Sequence, residues 1–436
     1  MPKTVNEREL ILDTLLEITK DGVYSHIALR AVLDKYQYLE KKKRAFITRV
    51  VEGTLERMIE IDYIINQFSK TPVKKMKPVI RTIIRSAVYQ LKYMDMVPNS
   101  AVCNEAVKLA GKRGFSNLRA FVNGVLRNIT RNIEEITYPP KQDLISYLSV
   151  RYSMPEWIIR QWSAVYEEDV VEKMLAEFLE DAPLSVRVNT NKVSTEELMQ
   201  RLRSQGIEVT QHAKLPYALW IEKFDSLNKI LEFQEGLFYV QDINSMQVAE
   251  LASPKAGDYV IDICAAPGGK ALHMAEILNG TGHVEARDLT EYKIGLIQEN
   301  IEKSKLNNIR AIQKDATIFD VKSEDKANIV IADLPCSGLG VLRKKSDLKY
   351  KMNEEMQKEL VLLQRTILRN AAKYVKQGGK LIYSTCTIHT KENEENTQWF
   401  LEQFSEYERT SEEQRFPEKY GGDGFYITVF EKVQIV

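Results

Sequence analysis

Pro267-Gly268-Gly269 sits between an apolar run, Val260-Ile261-Asp262-Ile263, and a helical stretch that begins at Lys270. β-Branched residues in an almost unbroken run suit a strand buried on both faces, as the central strands of parallel sheets are. The glycines free the backbone to turn hard and to approach a ligand, because no Cβ stands in the way. Asp262-Ile263-Cys264-Ala265-Ala266-Pro267-Gly268-Gly269-Lys270 therefore predicts a strand that turns directly into a helix. Beyond Gly236 the same alternation repeats. Candidate strands span 259–264, 283–288, 309–313, 329–333 and 380–384, and the helices between them include 270–278, 292–305 and 354–375. This pattern predicts an α/β fold, a doubly wound parallel sheet with helices on both faces. Ligands of such sheets bind outside the carboxyl ends of the strands.

The front of the chain reads differently. From about Asn6 to Asn132 apolar residues recur at helical spacing: Leu10, Ile11, Thr14, Leu15 and Ile18, then Phe46, Val50, Leu55 and Ile59, then Val79, Ile83, Ile84, Val88 and Leu91. Pro72, Pro78 and Pro98 punctuate these helices, which predicts an all-α bundle. Tyr138-Pro139-Pro140 is a stiff break and the first expected boundary. Past it, Met154-Pro155-Glu156-Trp157 opens a helix with Trp157, Ile158, Trp162 and Val165 on its apolar side. Leu184–Asn189 alternates as a strand, Ser194-Thr195-Glu196-Glu197 caps a helix, and Gly206 ends it before strand resumes at Ile207-Glu208-Val209. The expected organisation is a helical domain at 1–138, linker helices and a small α+β module at 139–235, and the sheet domain at 236–436.

Charge follows this division. The whole chain is formally neutral, yet residues 1–140 carry 24 lysines and arginines against 15 aspartates and glutamates. A basic front end on an acidic body predicts contact with a polyanion; pairing of the two parts through opposite charge is the alternative. Composition excludes several classes. No apolar run approaches the length of a membrane span, and no secretory apolar segment follows Met1. Four scattered cysteines with no CxxC pair argue against a disulfide framework or a structural zinc, and they predict a reducing, cytoplasmic setting with no metal.

The glycine turn lacks G-x-G-x-x-G and a P-loop Ser/Thr, so pyrophosphate binding is not indicated. Asp288 follows Gly269 by 19 residues at the end of the second strand, where a carboxylate can hold both ribose hydroxyls. Asp315, after the third strand, is placed to accept from the exocyclic amine of an adenine. A nucleoside cofactor without a pyrophosphate is S-adenosylmethionine. The alternative is that both aspartates only cap helices or turns.

Asp333-Leu334-Pro335-Cys336-Ser337-Gly338 and Ser384-Thr385-Cys386-Thr387 each put a thiol where a parallel strand should end. Methylating carbon 5 of a pyrimidine needs such a group. That carbon is a poor nucleophile until a thiolate adds to carbon 6, and an acidic group must hydrogen-bond the ring. Free cysteines also serve as small buried hydrophobes, and that is the reading for the thiols of Cys103 and Cys264.

D-x-C-A-A-P-G-G-K, D-L-P-C-S-G-L-G and Y-S-T-C-T together resemble the motifs of the RNA cytosine-5 methyltransferases. Val341-Leu342-Arg343-Lys344 and Glu392-Asn393-Glu394 continue the likeness. The first 135 or so residues, notably 101–107 and 121–127, resemble the NusB-like domain carried by the Fmu/Sun branch, which acts on small-subunit ribosomal RNA. The chain departs from that pattern at 345–350, where Ser346 precedes Asp347 and Tyr350 closes the segment. The resemblance implies a Rossmann-like methyltransferase sheet, S-adenosylmethionine as cofactor and Cys386 as nucleophile. Cys336 would assist product release, unlike the DNA cytosine-5 methyltransferases, in which the Pro-Cys cysteine attacks. It further implies that Asp333 and Lys270 contact a flipped cytosine. Cys264, Ala265, Ala266, Pro267, Gly268, Gly269 and Lys270, with Asp288, Asp315 and Asp333, would hold the cofactor. The expected partner is 16S ribosomal RNA, with no membrane and no DNA, and the expected state is a monomer. A competing reading is a non-catalytic RNA-binding factor in antitermination or ribosome assembly, which would have no use for two cysteines in polar loops. A nicotinamide dehydrogenase is disfavoured by the missing G-x-G-x-x-G, and an amino-methylating enzyme by Asp-Leu-Pro-Cys in place of an Asn/Asp-Pro-Pro-Tyr loop.

Overall fold

A computed structural model of the protein describes residues 5–434. They form two compact units. One runs to Leu179 and takes in Leu342–Lys351; the other holds Glu180–Val341 and the chain from Met352 onward.

The first unit is helical. Its longer helices are Glu7–Thr19, Ser25–Lys35, Lys41–Glu56, Met58–Phe68, Pro78–Tyr93, Asn99–Lys112 and Arg119–Arg131. Asn6 caps the first, its side chain accepting from the amides of Arg8 and Glu9. The periodic residues Ile11, Leu15, Val50, Leu55, Ile83, Ile84 and Val88 share one buried core with Val122, Leu126 and Ile129. Glu60 is buried there with its charge fully met: the Tyr93 and Tyr138 hydroxyls donate to it, and Arg57 and Lys92 stand 3.5 and 3.7 Å away. The unit continues past Tyr138-Pro139-Pro140 through Leu144–Arg151, Glu156–Ser163 and Glu168–Glu177. Ile158 and Trp162 are buried as expected, but the helix ends at Ser163 and Val165 is exposed, so Val165 is not part of its apolar side.

Leu342–Lys351 completes this unit. Asp347 accepts from the Ser25 amide at 3.0 Å and from its hydroxyl, and Lys351 is paired with it at 2.9 Å. The Tyr350 hydroxyl donates to the Leu55 carbonyl and the Lys349 ammonium to the Glu56 carbonyl, both at 2.8 Å. The segment in which the chain departs from its expected pattern is thus a strap fastened to helices, and Tyr350 is one of its fasteners.

In the second unit a four-stranded antiparallel sheet comes first: β1 (Leu184–Val188), β2 (Glu208–Gln211), β3 (Ala218–Glu222) and β4 (Phe238–Val240), in the order β2-β3-β1-β4. Ser194 caps the helix Thr195–Ser204 by accepting from the Glu197 amide. The larger sheet has seven strands: β5 (Tyr259–Asp262), β6 (His283–Asp288), β7 (Ile309–Gln313), β8 (Ala327–Asp333), β9 (Val375–Thr385), β10 (Tyr407–Arg415) and β11 (Phe425–Lys432), in the order β10-β11-β9-β8-β5-β6-β7. Pleating sends alternate residues to opposite faces. Val260, Ile329, Ile331 and Ile382 join one core, with Leu272, Ile294 and Ile297 from helices Gly269–Leu278 and Glu291–Ser304. Ile261, Val330, Ala332 and Leu381 join the other, with Ile367, Leu368 and Ala371 from helix Glu354–Tyr374. The sheet is doubly wound, as the sequence predicts, but only β9, β8, β5, β6 and β7 are parallel. β11 runs antiparallel to both β9 and β10, which corrects the expectation of a wholly parallel sheet. No helix among the described residues is long and apolar enough to cross a membrane.

Candidate active site

β8, β5, β6 and β7 stand side by side, and a carboxylate marks the end of each: Asp333, Asp262 and Asp288 are the last residues of their strands, and Asp315 lies two residues past β7. Such an edge repels a pyrophosphate and suits a cation. S-adenosylmethionine carries both a sulfonium and an ammonium, so the residues present fit it. The turn fits as well. Gly268 has φ +107°, a conformation that strains any L side chain, and the helix it opens has no side-chain cap on its first amides.

The four carboxylates differ in how far the protein already uses them. Asp288 is buried and accepts from the Ala266 amide at 3.0 Å, its neighbour Leu289 at 2.7 Å and Lys293 Nζ at 2.9 Å. It clamps the glycine turn, and of the roughly four lone-pair positions of a carboxylate one is left. Asp315 is half-buried and folds its own turn, accepting from the Thr317 hydroxyl and amide; these bonds hold its carboxyl below the usual range. Asp262 is 1% exposed and neither oxygen has a hydrogen-bond partner. Burial pushes its carboxyl up to about 8, although the positive charge of nearby Lys270 pulls the other way. Sequence reasoning overlooked Asp262; its signal was a lone carboxylate inside an apolar strand.

Lys270, the second residue of its helix, reaches back over the sheet edge to Asp333 at 2.6 Å and over the Phe425 ring. Burial works against its charge, but Asp333 outweighs this and holds the ammonium above the usual lysine range. Asp333 also accepts from the Ser384 hydroxyl at 2.8 Å, so the ends of β8 and β9 share one carboxylate. The two cysteine loops run on from these ends. The Leu334 amide donates to Ser384, the Gly340 amide to Cys386 and the Gly424 amide to Gly340, at 2.9–3.1 Å. A Cβ at Gly340 would stand 2.0 Å from the Gly424 carbonyl oxygen, so only glycine lets the loops close up. As a result Cys336 Sγ lies 3.3 Å from Cys386 Sγ. The hydrogen bond between the sulfurs, and burial, push the Cys336 thiol well up.

The structure therefore brings Lys270, Asp333, Cys336 and Cys386 together and sets Cys264 and Asp262 beside them. Cys264 is half-buried, and burial with the nearby carboxylates keeps it a thiol. Asp315 lies outside this cluster, two strands beyond β5. Cys103 packs in the helical core.

Residues 249–431 match the family model for the 16S rRNA methyltransferase RsmB/F, residues 5–131 that of the NusB family, and residues 154–227 the ferredoxin-like domain of RsmF/B-like methyltransferases. The probable ribosomal RNA small subunit methyltransferase B of Bacillus subtilis (strain 168) is 33% identical over 99% of this chain and 99% of its own. That of Synechocystis sp. (strain ATCC 27184 / PCC 6803 / Kazusa) is 31% identical over 98% of this chain and 100% of its own. The crystal structure of PH0851 superposes with a TM-score of 0.83 at 25% identity, covering 98% of this chain and 99% of that one. With likeness running from end to end and three family models matched along one chain, the protein belongs to the RsmB/F family of small-subunit ribosomal RNA methyltransferases, whose methyl donor is S-adenosylmethionine.

Proposed function

We propose that this protein methylates carbon 5 of a cytosine in 16S ribosomal RNA, with Cys386 as the nucleophile and Cys336 as the group that frees the product. The observation that carries this is the pair of thiols 3.3 Å apart at the ends of two adjoining parallel strands, beside the Lys270–Asp333 pair. A flipped cytosine offers an exocyclic amine that Asp333 can accept from, and ring acceptors that Lys270 can donate to. The ammonium draws electron density from the ring and makes carbon 6 a better electrophile. The Cys386 thiolate bonds to carbon 6, and the pair from the C5=C6 double bond makes carbon 5 nucleophilic. S-adenosylmethionine, when bound, supplies a methyl group on a sulfonium that departs with the bonding pair. Once carbon 5 holds the methyl group, a base takes the carbon-5 proton, the double bond re-forms and the carbon 6–sulfur bond breaks. Cys336 remains protonated, and its S–H is close enough to donate to the departing Cys386 thiolate. Asp288, Asp315 and the turn from Cys264 to Lys270 hold the cofactor, with Asp333 at its reactive end. The basic helical unit grips RNA phosphates. The setting is the cytoplasm, where the paired thiols stay reduced.

Cysteine variants test this on transcribed 16S ribosomal RNA. Cys386→Ala should abolish turnover and leave no protein–RNA adduct, whereas Cys336→Ala should trap an adduct that survives denaturing gels. Identical behaviour of the two, or an adduct with Cys386→Ala, overturns the assignment.

A further inference from the structure

Holding one sulfur 3.3 Å from another requires the loop around Cys336 to be fixed on both sides, and its fastenings converge on a single anion. Glu392, six residues past Cys386, is fully buried. It accepts from the Ser337 amide at 2.9 Å and from the Ser337 hydroxyl. Gln364, on helix Glu354–Tyr374, donates to the same carboxylate at 3.0 Å and to the Pro335 carbonyl at 2.9 Å. The residues before and after Cys336 are thereby tied to one carboxylate–amide pair.

The second loop is tied to the same point. A carboxylate only accepts, so His389 Nδ1, 3.1 Å from Glu392, is a donor. The Ser337 hydroxyl gives its one proton to Glu392, so the Thr387 hydroxyl 2.7 Å away must donate to Ser337. That bond pins the residue after Cys386 to the residue after Cys336. With four donors the carboxylate is filled, and none of its partners is a sulfur or a ring-contacting residue. Its negative charge nonetheless adds to what keeps the Cys336 thiol protonated, behind the contribution of Cys386 and of burial.

We propose that Glu392 is the positioning residue for Cys336: it acts on product release through that thiol and leaves the attack by Cys386 intact. The proposal rests on the cysteine roles given above. Glu392→Gln keeps the shape but removes the charge and turns an NH2 toward groups that are themselves donors. The Cys336 loop loses its anchor, while Lys270 and Asp333 keep their own bonds. The Cys386 loop loses only the His389 and Ser337 links. It stays held by Asn393, bonded to the Thr385 hydroxyl and the Thr387 carbonyl, and by the Gly340 amide on the Cys386 carbonyl.

The test is single- and multiple-turnover methylation of transcribed 16S ribosomal RNA with the full chain, with adducts read on denaturing gels. Glu392→Gln should slow steady-state turnover by about tenfold or more with the first turnover nearly unchanged, and should accumulate the adduct that Cys336→Ala traps. A merely structural role would weaken both phases and diminish the adduct; that result, or wild-type behaviour, overturns the proposal. Should Glu392→Gln not fold, Ser337→Ala decides, because it removes one bond to Glu392 and keeps the amide. It should trap a smaller fraction of the same adduct, and its absence also overturns the proposal. Cys336→Ala and Cys386→Ala run alongside separate the two levels. If Cys336→Ala traps nothing, the cysteine roles have failed; if it traps adduct and the Glu392 and Ser337 variants do not, only the role of Glu392 has.

Discussion

Glu60 in the helical unit and Asp262 in the sheet unit are both carboxylates at most 1% exposed, and the two are treated in opposite ways. Glu60, in the helical unit, has two tyrosine hydroxyls on its oxygens and two cations within 4 Å. Asp262, at the end of β5, has no hydrogen-bond partner at all and is pushed up to about 8. A buried charge is tolerated where the fold itself completes it, as around Glu60. Where the fold leaves it incomplete, the cost is sustained at a place reserved for something other than the fold. Asp262 lies among the strand-end residues that fit S-adenosylmethionine; Glu60 lies in a core that asks for nothing more.

The largest effect expected from this contrast is at Glu60. Glu60→Ala leaves both hydroxyls without an acceptor and Arg57 and Lys92 without a counter-charge, which should cost about 3–5 kcal/mol of stability. Chemical denaturation reads this directly, and a loss well under about 1 kcal/mol would erase the distinction between the two carboxylates.

Asp262 should show the opposite sign. Its folded pKa lies above its unfolded one, so between about pH 4 and pH 8 the folded protein holds a proton that the unfolded chain releases. Stability of the cofactor-free protein should therefore fall as pH rises through that window, by at most about 1.4 kcal/mol per pH unit from this group. Asp262→Asn abolishes that contribution and should be the more stable protein at pH 8, while binding S-adenosylmethionine less well. Denaturation of both proteins across the window is the check, and parallel curves would show that Asp262 does not hold the proton.

Asp288 falls between these extremes, half structural and half available. Asp288→Ala should weaken S-adenosylmethionine binding by roughly 1–3 kcal/mol and leave RNA affinity near native. Because the carboxylate also holds the Ala266 amide and Lys293, a smaller loss of cofactor-free stability should accompany it. Calorimetry with unchanged cofactor affinity would move Asp288 to the side of Glu60.

Much of this was legible in the sequence wherever local chemistry decides. β6 and β7 occupy the expected residues, and helix Glu354–Tyr374 differs by one at its end, because apolar periodicity and flanking polar residues fix them. The thiols stood out because each follows a strand end. That β8 and β9 adjoin, and so bring sulfurs fifty residues apart into contact, is a property of strand order that no local pattern encodes. β10 escaped notice because Glu408, Arg409, Glu412, Glu413 and Arg415 make it look like loop; charge of this kind is what an edge strand uses to avoid further pairing. The strap at Leu342–Lys351 was illegible for another reason: its partners include the backbone carbonyls of Val23, Leu55 and Glu56, which leave no trace in residue identity.

That strap also sets an order of events during synthesis. The helical unit is made first, yet ten of its residues leave the ribosome only after roughly 160 others have followed Leu179. At about 5–20 residues per second this is a wait of roughly 10–30 s. Throughout it, Ser25 has no Asp347 to donate to, and the carbonyls of Leu55 and Glu56 face whatever is near. The unit receives its last ten residues only when the chain has already passed Cys336, so it is completed on the schedule of the sheet's synthesis rather than its own.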